Sequence, residues 1–326
     1  PKSGAILGMA NYPVYDPNDY ASSDPASFTN PTVSAQYEPG SIFKIITMAA
    51  ALDMGEMEPT TIYTDTGSIS LGQRLFLNSD RTAIGQVDAA DALARSLNVV
   101  TVQVASALGE ETLYRYIRRF GFGGPTEVDL SGEIAGAVKW PNTADWSLSD
   151  LGANSFGQGL AVTPLQMASA TASIANGGLL MRPYVVQART QGDQMLYTEP
   201  TIHHRTISPE AAADLTEMMV HVVEKGAPAA RVQGYSIAGK TGTAQNPHGE
   251  PHSWFVGFAP VDAPRIVIAA IVENGHPDDR TSRAVPLASE IVSRYLGSEG
   301  VPPDRPLEGQ AQMPPAGVAG TTGGNR

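Results

Sequence analysis

The sequence predicts an α/β fold of the α+β kind: an antiparallel sheet covered by helices, with a helical subdomain inserted between its parts. Two observations carry this. Strand candidates crowd the last third of the chain, at about residues 232–243, 254–259 and 266–273, the last two joined by a short turn between Pro260 and Pro264. A further apolar stretch, residues 4–10, opens the chain and has to reach that sheet from the other end, while the segment between is rich in punctuated helices.

Taken in order, residues 11–30 form a Pro/Asp/Ser/Asn-rich loop, and a helix begins near Gly40 after Pro39. Residues 88–109 are alanine-rich and amphipathic but interrupted at Ser96-Leu97-Asn98, which predicts a helix–loop–helix. Thr163-Pro164-Leu165-Gln166 reads as a capping box with proline at the first helical position, stopped by Asn176-Gly177-Gly178. Another helix runs over 208–226 and a last one over about 286–296. One domain of residues 1–300 is expected, with the sheet drawn from about 1–12 and 180–300 and the helical lobe from about 55–160. Residues 301–326, rich in Pro, Gly and Thr, read as a disordered tail.

Bulk properties narrow the function. With 21 Lys+Arg against 33 Asp+Glu the net charge is −12, and no basic run interrupts it, so no nucleic acid is expected as partner. Cysteine is absent, which removes disulfide and thiolate chemistry and fits an extracytoplasmic bacterial protein. The apolar run 266–272 is far shorter than the roughly 18 residues of a membrane span, and a chain that opens on Pro1 is expected to be a trimmed piece lacking any targeting segment.

Two chemistries compete for the stretch from Gly234 to Gln245. Gly234 followed by Gly239-Lys240-Thr241 fits the letters of a phosphate-binding loop, which would make the chain a P-loop NTPase with residues 266–273 as its acidic strand. The context is wrong for it: Tyr235, Ser236, Ile237 and Ala238 look like a strand, and Gly242, Asn246, Pro247 and Gly249 break the place where the phosphate-binding helix should run.

The other chemistry starts at Ser41. From Ile42 to Leu52 the helix is apolar all round apart from Lys44, so it is expected to be buried on every side. Burial drives an ammonium pKa down from about 10.4 and frees the amine to act as a base. Ser41 lies three residues before Lys44, one turn away on the same face, so the amine can reach its hydroxyl. Ser41 also falls in the first turn, where free N–H groups favour an alkoxide. Alone, such a pair is more often an N-cap and a snorkelling lysine. Here Ser96-Leu97-Asn98 and Lys240-Thr241-Gly242 follow in the order associated with penicillin-binding proteins and serine β-lactamases.

With Tyr37-Glu38-Pro39-Gly40-Ser41, Gly132-Glu133, Ala135-Gly136, Ser155-Phe156-Gly157-Gln158-Gly159 and Trp254 to Pro260, the chain resembles the transpeptidase domain of class B penicillin-binding proteins over about residues 1–296. The resemblance implies a five-stranded antiparallel sheet between helices plus an all-helical lobe, and a membrane anchor and pedestal in addition to this domain. It implies a peptidoglycan D,D-transpeptidase in which Ser41 attacks the penultimate D-Ala carbonyl of a stem peptide and releases terminal D-Ala. Lys44 would be the base, Ser96 and Lys240 the proton relay, and Asn98 the holder of substrate amide and Lys44. Thr241 and Thr243 would take the terminal carboxylate beside Gly242, with Ser41 and Thr243 N–H groups as oxyanion hole. Peptidoglycan stem peptides and β-lactam antibiotics are the implied partners, with a SEDS-type glycosyltransferase for the full-length protein on the outer face of the cytoplasmic membrane. No cofactor and no metal are implied. His248, Glu250 and His252 lack a clear further ligand, and His203-His204 reads as a solvated loop. Residues 11–30 and 246–252 are candidates for shaping the acceptor side. A β-lactam sensor and a serine β-lactamase share this chemistry, although no Glu-x-x-Leu-Asn segment follows Asn98.

Overall fold

The computed structural model describes residues 1–244, 251–273 and 283–306. Asn30 caps the one-turn α1 (Pro31–Ser34). The helix expected at Gly40 opens as a 3-10 turn, Gly40–Phe43, and continues as α2 (Lys44–Asp53), in which every residue from Lys44 to Leu52 is buried. Burial of Ile45, Ile46, Met48 and Leu52 stabilises the fold by roughly 1.5–3 kcal/mol per side chain, which is what an all-apolar helix surface is for.

The insert is helical, with two additions that the expectation of an all-helical lobe lacks. Strand β1 (Ile62–Asp65) pairs antiparallel with β4 (Gly85–Asp88), and β2 (Ser68–Leu71) with β3 (Arg74–Leu77). These strands of four residues mix exposed and buried positions too irregularly to show a period of two. The helix–loop–helix is present as α3 (Ala89–Ala94) and α4 (Asn98–Arg119). Ser96, with φ 61°, makes the corner, and the second helix runs on past a break at Gly109. Helices α5 (Leu148–Ser155) and α6 (Pro164–Ala175) follow, the latter opened by the reciprocal Thr163–Gln166 capping box.

Two more hairpin-like pairs come next: β5 (Leu179–Met181) with β8 (Ile202–Arg205), and β6 (Ala188–Gln191) with β7 (Gln194–Tyr197). His203 and His204, read as a loop, are therefore in β8. Helix α7 (Pro209–His221) ends in a π-type turn, Val222–Gly226. The central sheet is β9 (Ala238–Ala244), β10 (His252–Ala259) and β11 (Ile266–Val272), antiparallel in the order β11-β10-β9. Its register sets Val256 opposite Lys240 and Trp254 opposite Gly242. Helix α8 (Ala284–Ser298) closes the fold.

Alternation along β10 divides the core. Trp254, Val256 and Phe258 join the cluster that includes α2, α4, α6 and α7, whereas Phe255 and Ala259 join the α8 cluster. Three sequence expectations need correcting. The opening stretch 4–10 does not extend this sheet among the described residues. It makes a single parallel bridge, Ala5 to Tyr184, where its backbone hydrogen bonds go instead: Ile6 N–H donates to Tyr184 O (2.8 Å) and Tyr184 N–H to Gly4 O (3.1 Å). Residues 232–237 are not strand, because Gly234 (φ 84°) turns the chain before β9. The disordered tail cannot begin at 301. The Ser236 N–H and hydroxyl both donate to Asp304, whose own N–H donates to Gly234 O, and the Tyr235 hydroxyl donates to Val301 O. Residues 307–326 lie outside the described residues. No helix among the described residues is long and apolar enough to cross a membrane.

Removing the Asp304 clamp should cost about 1–2 kcal/mol through the donors left at Ser236. Asp304→Ala is therefore expected to lower Tm by roughly 2–4 °C in a thermal melt, with the chemistry at Ser41 unchanged.

Candidate active site

Ser41, Lys44, Ser96, Asn98 and Lys240 come from four separate elements, and the fold brings them to one place. The 3-10 turn carries half-buried Ser41, and α2 starts on Lys44. The Lys44 Nζ donates to Ser96 O (2.5 Å), Ser96 Oγ (3.0 Å) and Asn98 Oδ1 (2.8 Å). An ammonium has three donors, so as a cation Lys44 is saturated by the Ser96–Asn98 corner. The direct Ser41–Lys44 hydrogen bond expected from spacing is not formed among the described residues. Once neutral, the amine has two donors and a lone pair. Of its three partners only the Ser96 hydroxyl can donate to that lone pair.

Electrostatics favour the neutral form. Lys44 is completely buried, and burial, with the nearby Lys240 charge adding to it, holds its pKa well below the ordinary lysine value. Lys240 is buried as well, and desolvation lowers its pKa to about 7. Its Nζ donates to Thr241 O (2.9 Å).

Among the described residues β9 is an edge strand, with β10 as its inner neighbour. Lys240 and Gly242 share the face toward the Ser41 turn: a Cβ on Gly242 would fall 2.8 Å from Ile42 Cγ2 and 3.0 Å from Ile42 N. Gly40, at φ 56°, leaves no room for a Cβ against Thr243 O, which would lie 2.6 Å away. The Thr243 carbonyl therefore points out of the sheet, and its N–H points the same way, since a residue in an antiparallel ladder turns both groups to one side. Thr241 is half-buried and Thr243 exposed, both open to a ligand.

From below, the 155–159 stretch clamps the turn. Gly40 N–H donates to Gly157 O (3.0 Å), Gly159 N–H to Glu38 Oε1 (2.9 Å) and Thr47 Oγ1 to Ser155 O (2.7 Å). Gly157, at φ 82°, has no space for a side chain, since its Cβ would stand 2.2 Å from Gly40 O.

This arrangement disposes of the phosphate-loop reading. Lys240 and Thr241 lie in the middle of β9, the next described element is the strand β10 rather than a helix, and Glu273, the would-be acidic strand end, instead accepts from the Tyr37 hydroxyl at 2.5 Å. Of the three residues weighed for a metal, His252 is packed in β10 against the Tyr37 ring, while His248 and Glu250 lie outside the described residues, as does most of the 246–252 loop. Sequence reading missed Asp65 and Asn78; the Asn78 side chain donates to Asp65 and takes the N–H of Val99, the residue after Asn98, across 21 residues. A faint signal was available in Leu97, an apolar residue at a helix N-cap that cannot cap it.

Comparison with known proteins agrees with the geometry. The penicillin binding protein transpeptidase domain family matches residues 1–293. The chain is 35% identical to penicillin-binding protein PbpB of Mycolicibacterium smegmatis, over 95% of its own length and 51% of that protein. It is 34% identical to peptidoglycan D,D-transpeptidase PbpA of Mycobacterium tuberculosis, over 92% of its length and 66% of that protein. It therefore spans about half to two-thirds of these relatives. Among solved structures, the imipenem acyl-enzyme complex of penicillin-binding protein A from M. tuberculosis superposes with a TM-score of 0.79 at 31% identity, covering 91% of this chain and 71% of that one.

A buried amine held by one carbonyl of its own strand is costly to the fold. Lys240→Met is expected to raise Tm. A lysine whose folded pKa is lowered binds fewer protons folded than unfolded, so wild-type stability climbs as pH rises from about 7 toward the unfolded value. The gain from methionine should accordingly be larger in melts at pH 6 than at pH 9.

Proposed function

The chain belongs to the penicillin-binding protein transpeptidase family, and from that premise we propose that it is the catalytic domain of a peptidoglycan D,D-transpeptidase acting through an acyl-Ser41 intermediate. The observation that carries the reading is the buried Lys44 amine, saturated by Ser96 and Asn98 beside the Ser41 turn.

Ser41 Oγ attacks the carbonyl carbon of the penultimate D-Ala as its proton passes to the neutral Lys44 amine. The oxyanion is met by the Ser41 and Thr243 N–H groups, the first in an open helical turn and the second on the outward side of the β9 edge. Substrate lies extended along that edge, its terminal carboxylate taken by Thr241 and Thr243 near the Lys240 ammonium. Collapse of the tetrahedral intermediate breaks the peptide C–N bond. The leaving amine receives a proton through Ser96, whose Oγ is 3.0 Å from Lys44 Nζ, and D-Ala departs. An amine of a neighbouring stem peptide then attacks the ester, forming the cross-link and returning the proton to Ser41. Asn98 orients the donor amide while holding Lys44. A β-lactam enters the same path at its ring carbonyl and stops at the acyl-serine. In the full-length protein this chemistry belongs on the outer face of the cytoplasmic membrane, beside a SEDS-type glycosyltransferase.

Intact mass after incubation with benzylpenicillin tests the reading. One adduct is expected on the wild type, persisting for hours, and none on Ser41→Ala. Its rate should rise with pH as Lys44 loses its proton and fall as Lys240 deprotonates near 7. A transient adduct with rapid drug consumption would mean a serine β-lactamase. A stable adduct on a protein that never transfers a peptide or thioester donor to a D-amino acid would mean a sensor.

A further inference from the structure

A buried polar chain runs away from the site into the insert, and no step of the acyl-transfer chemistry uses it. It begins at Asp65, at the end of β1, only 1% exposed. The Asp65 carboxylate accepts from Gly67 N–H (3.1 Å), from Ile84 N–H (3.0 Å) and from Asn78 Nδ2 at 2.8 and 2.9 Å. Asn78, also buried, donates through the same nitrogen to Thr82 O (3.0 Å). With both amide hydrogens committed, the Asn78 Oδ1 is fixed as an acceptor, and it takes the N–H of Val99 at 3.1 Å.

That N–H belongs to the first turn of α4, whose N-cap position is Leu97 and carries no side-chain cap. Asn78 thus caps α4 from a distant part of the chain, supplying the acceptor that the Ser96-Leu97-Asn98 corner cannot. The residue before it contributes the second grip: Leu77 O accepts from Asn98 Nδ2 (2.8 Å). Asn98 then has its nitrogen held by residue 77 and its oxygen turned to Lys44 Nζ at 2.8 Å. Residues 77 and 78 hold 98 and 99 as a pair, and Asp65 holds 78.

We propose that Asn78, fixed by the buried carboxylate of Asp65, is a positioning residue for catalysis: it sets the start of α4 so that the Asn98 amide oxygen stays on the Lys44 amine. This rests on the acyl-serine reading above. Capping alone would stabilise the helix and nothing more. Positioning makes the further demand that Asn78 act only through Asn98, and that its loss be felt by the protonation of Lys44. A carbonyl acceptor stabilises an ammonium more than a neutral amine, so an Asn98 oxygen that wanders off leaves Lys44 easier to deprotonate. Lys240, from β9, is the other ionisable group bearing on Lys44 and is left in place.

The experiment is the second-order rate of benzylpenicillin acylation, followed by intact mass from pH 5 to 9, for wild type, Asn78→Ala, Asn98→Ala and the double variant. Asn78→Ala is expected to slow acylation by about tenfold or more and to move the acid limb to lower pH by about half a unit. The double variant should be no slower than Asn98→Ala alone. Multiplicative losses in the double variant, or an acid limb that stays put in Asn78→Ala, would overturn the proposal. If Asn78→Ala does not fold, the isosteric Asn78→Asp, which sets two carboxylates face to face, should be slow, and adding Asp65→Asn should recover much of the rate. A wild-type rate in Asn78→Asp would overturn the role equally. Should wild type itself form no adduct, the acyl-serine reading falls, and this role with it.

Discussion

The structure is arranged around one lysine amine that has been taken out of water. Lys44 opens the most deeply buried helix of the fold, and the Ser96–Asn98 corner meets it with three acceptors. An ammonium in that position costs several kcal/mol unless every donor is matched, and matching them requires a residue in the left-handed region at Ser96, a helix starting on Asn98 and a strand pair behind it. The helical insert can be understood as the support that delivers this corner. Lys240, equally buried on the neighbouring strand, adds a second cation that pushes the first toward neutrality.

Around that pair, close approach of backbones takes the place of side-chain packing. The Ser41 turn is pressed between the 155–159 stretch and the β9 edge, and the contacts are Gly40 to Thr243, Gly157 to Gly40, and Gly242 to Ile42. Only glycine allows main chains to come this near. The serine is thereby fixed by main-chain geometry from both sides, while the side chains beside it remain free for chemistry.

Much of this was legible in the sequence, for identifiable reasons. The helix beginning at Thr163 carries its own start and stop signals, and the capping box is there as written. The buried lysine could be read because one charge in an otherwise apolar helix admits few explanations. What escaped notice was non-local or irregular. The hairpins of 62–88 are too short and too unevenly buried to show a period, the 232–237 segment looked extended until Gly234 turned it, and the packing of 301–306 depends on Asp304 finding Ser236 across 68 residues. Asn78 was invisible for the same reason. Its value lies in an N–H that a residue at position 97 fails to satisfy, which no local pattern records.

The three glycine contacts also limit how this cleft can change over evolutionary time. At Gly40, Gly157 and Gly242 even a methyl group would collide with main chain or a core side chain, so a lineage under selection to admit one acyl donor and refuse another has no route through them. Adaptive variation is channelled to exposed positions outside the catalytic set, where there is open volume. The inner wall is thus expected to stay constant while the rim diverges.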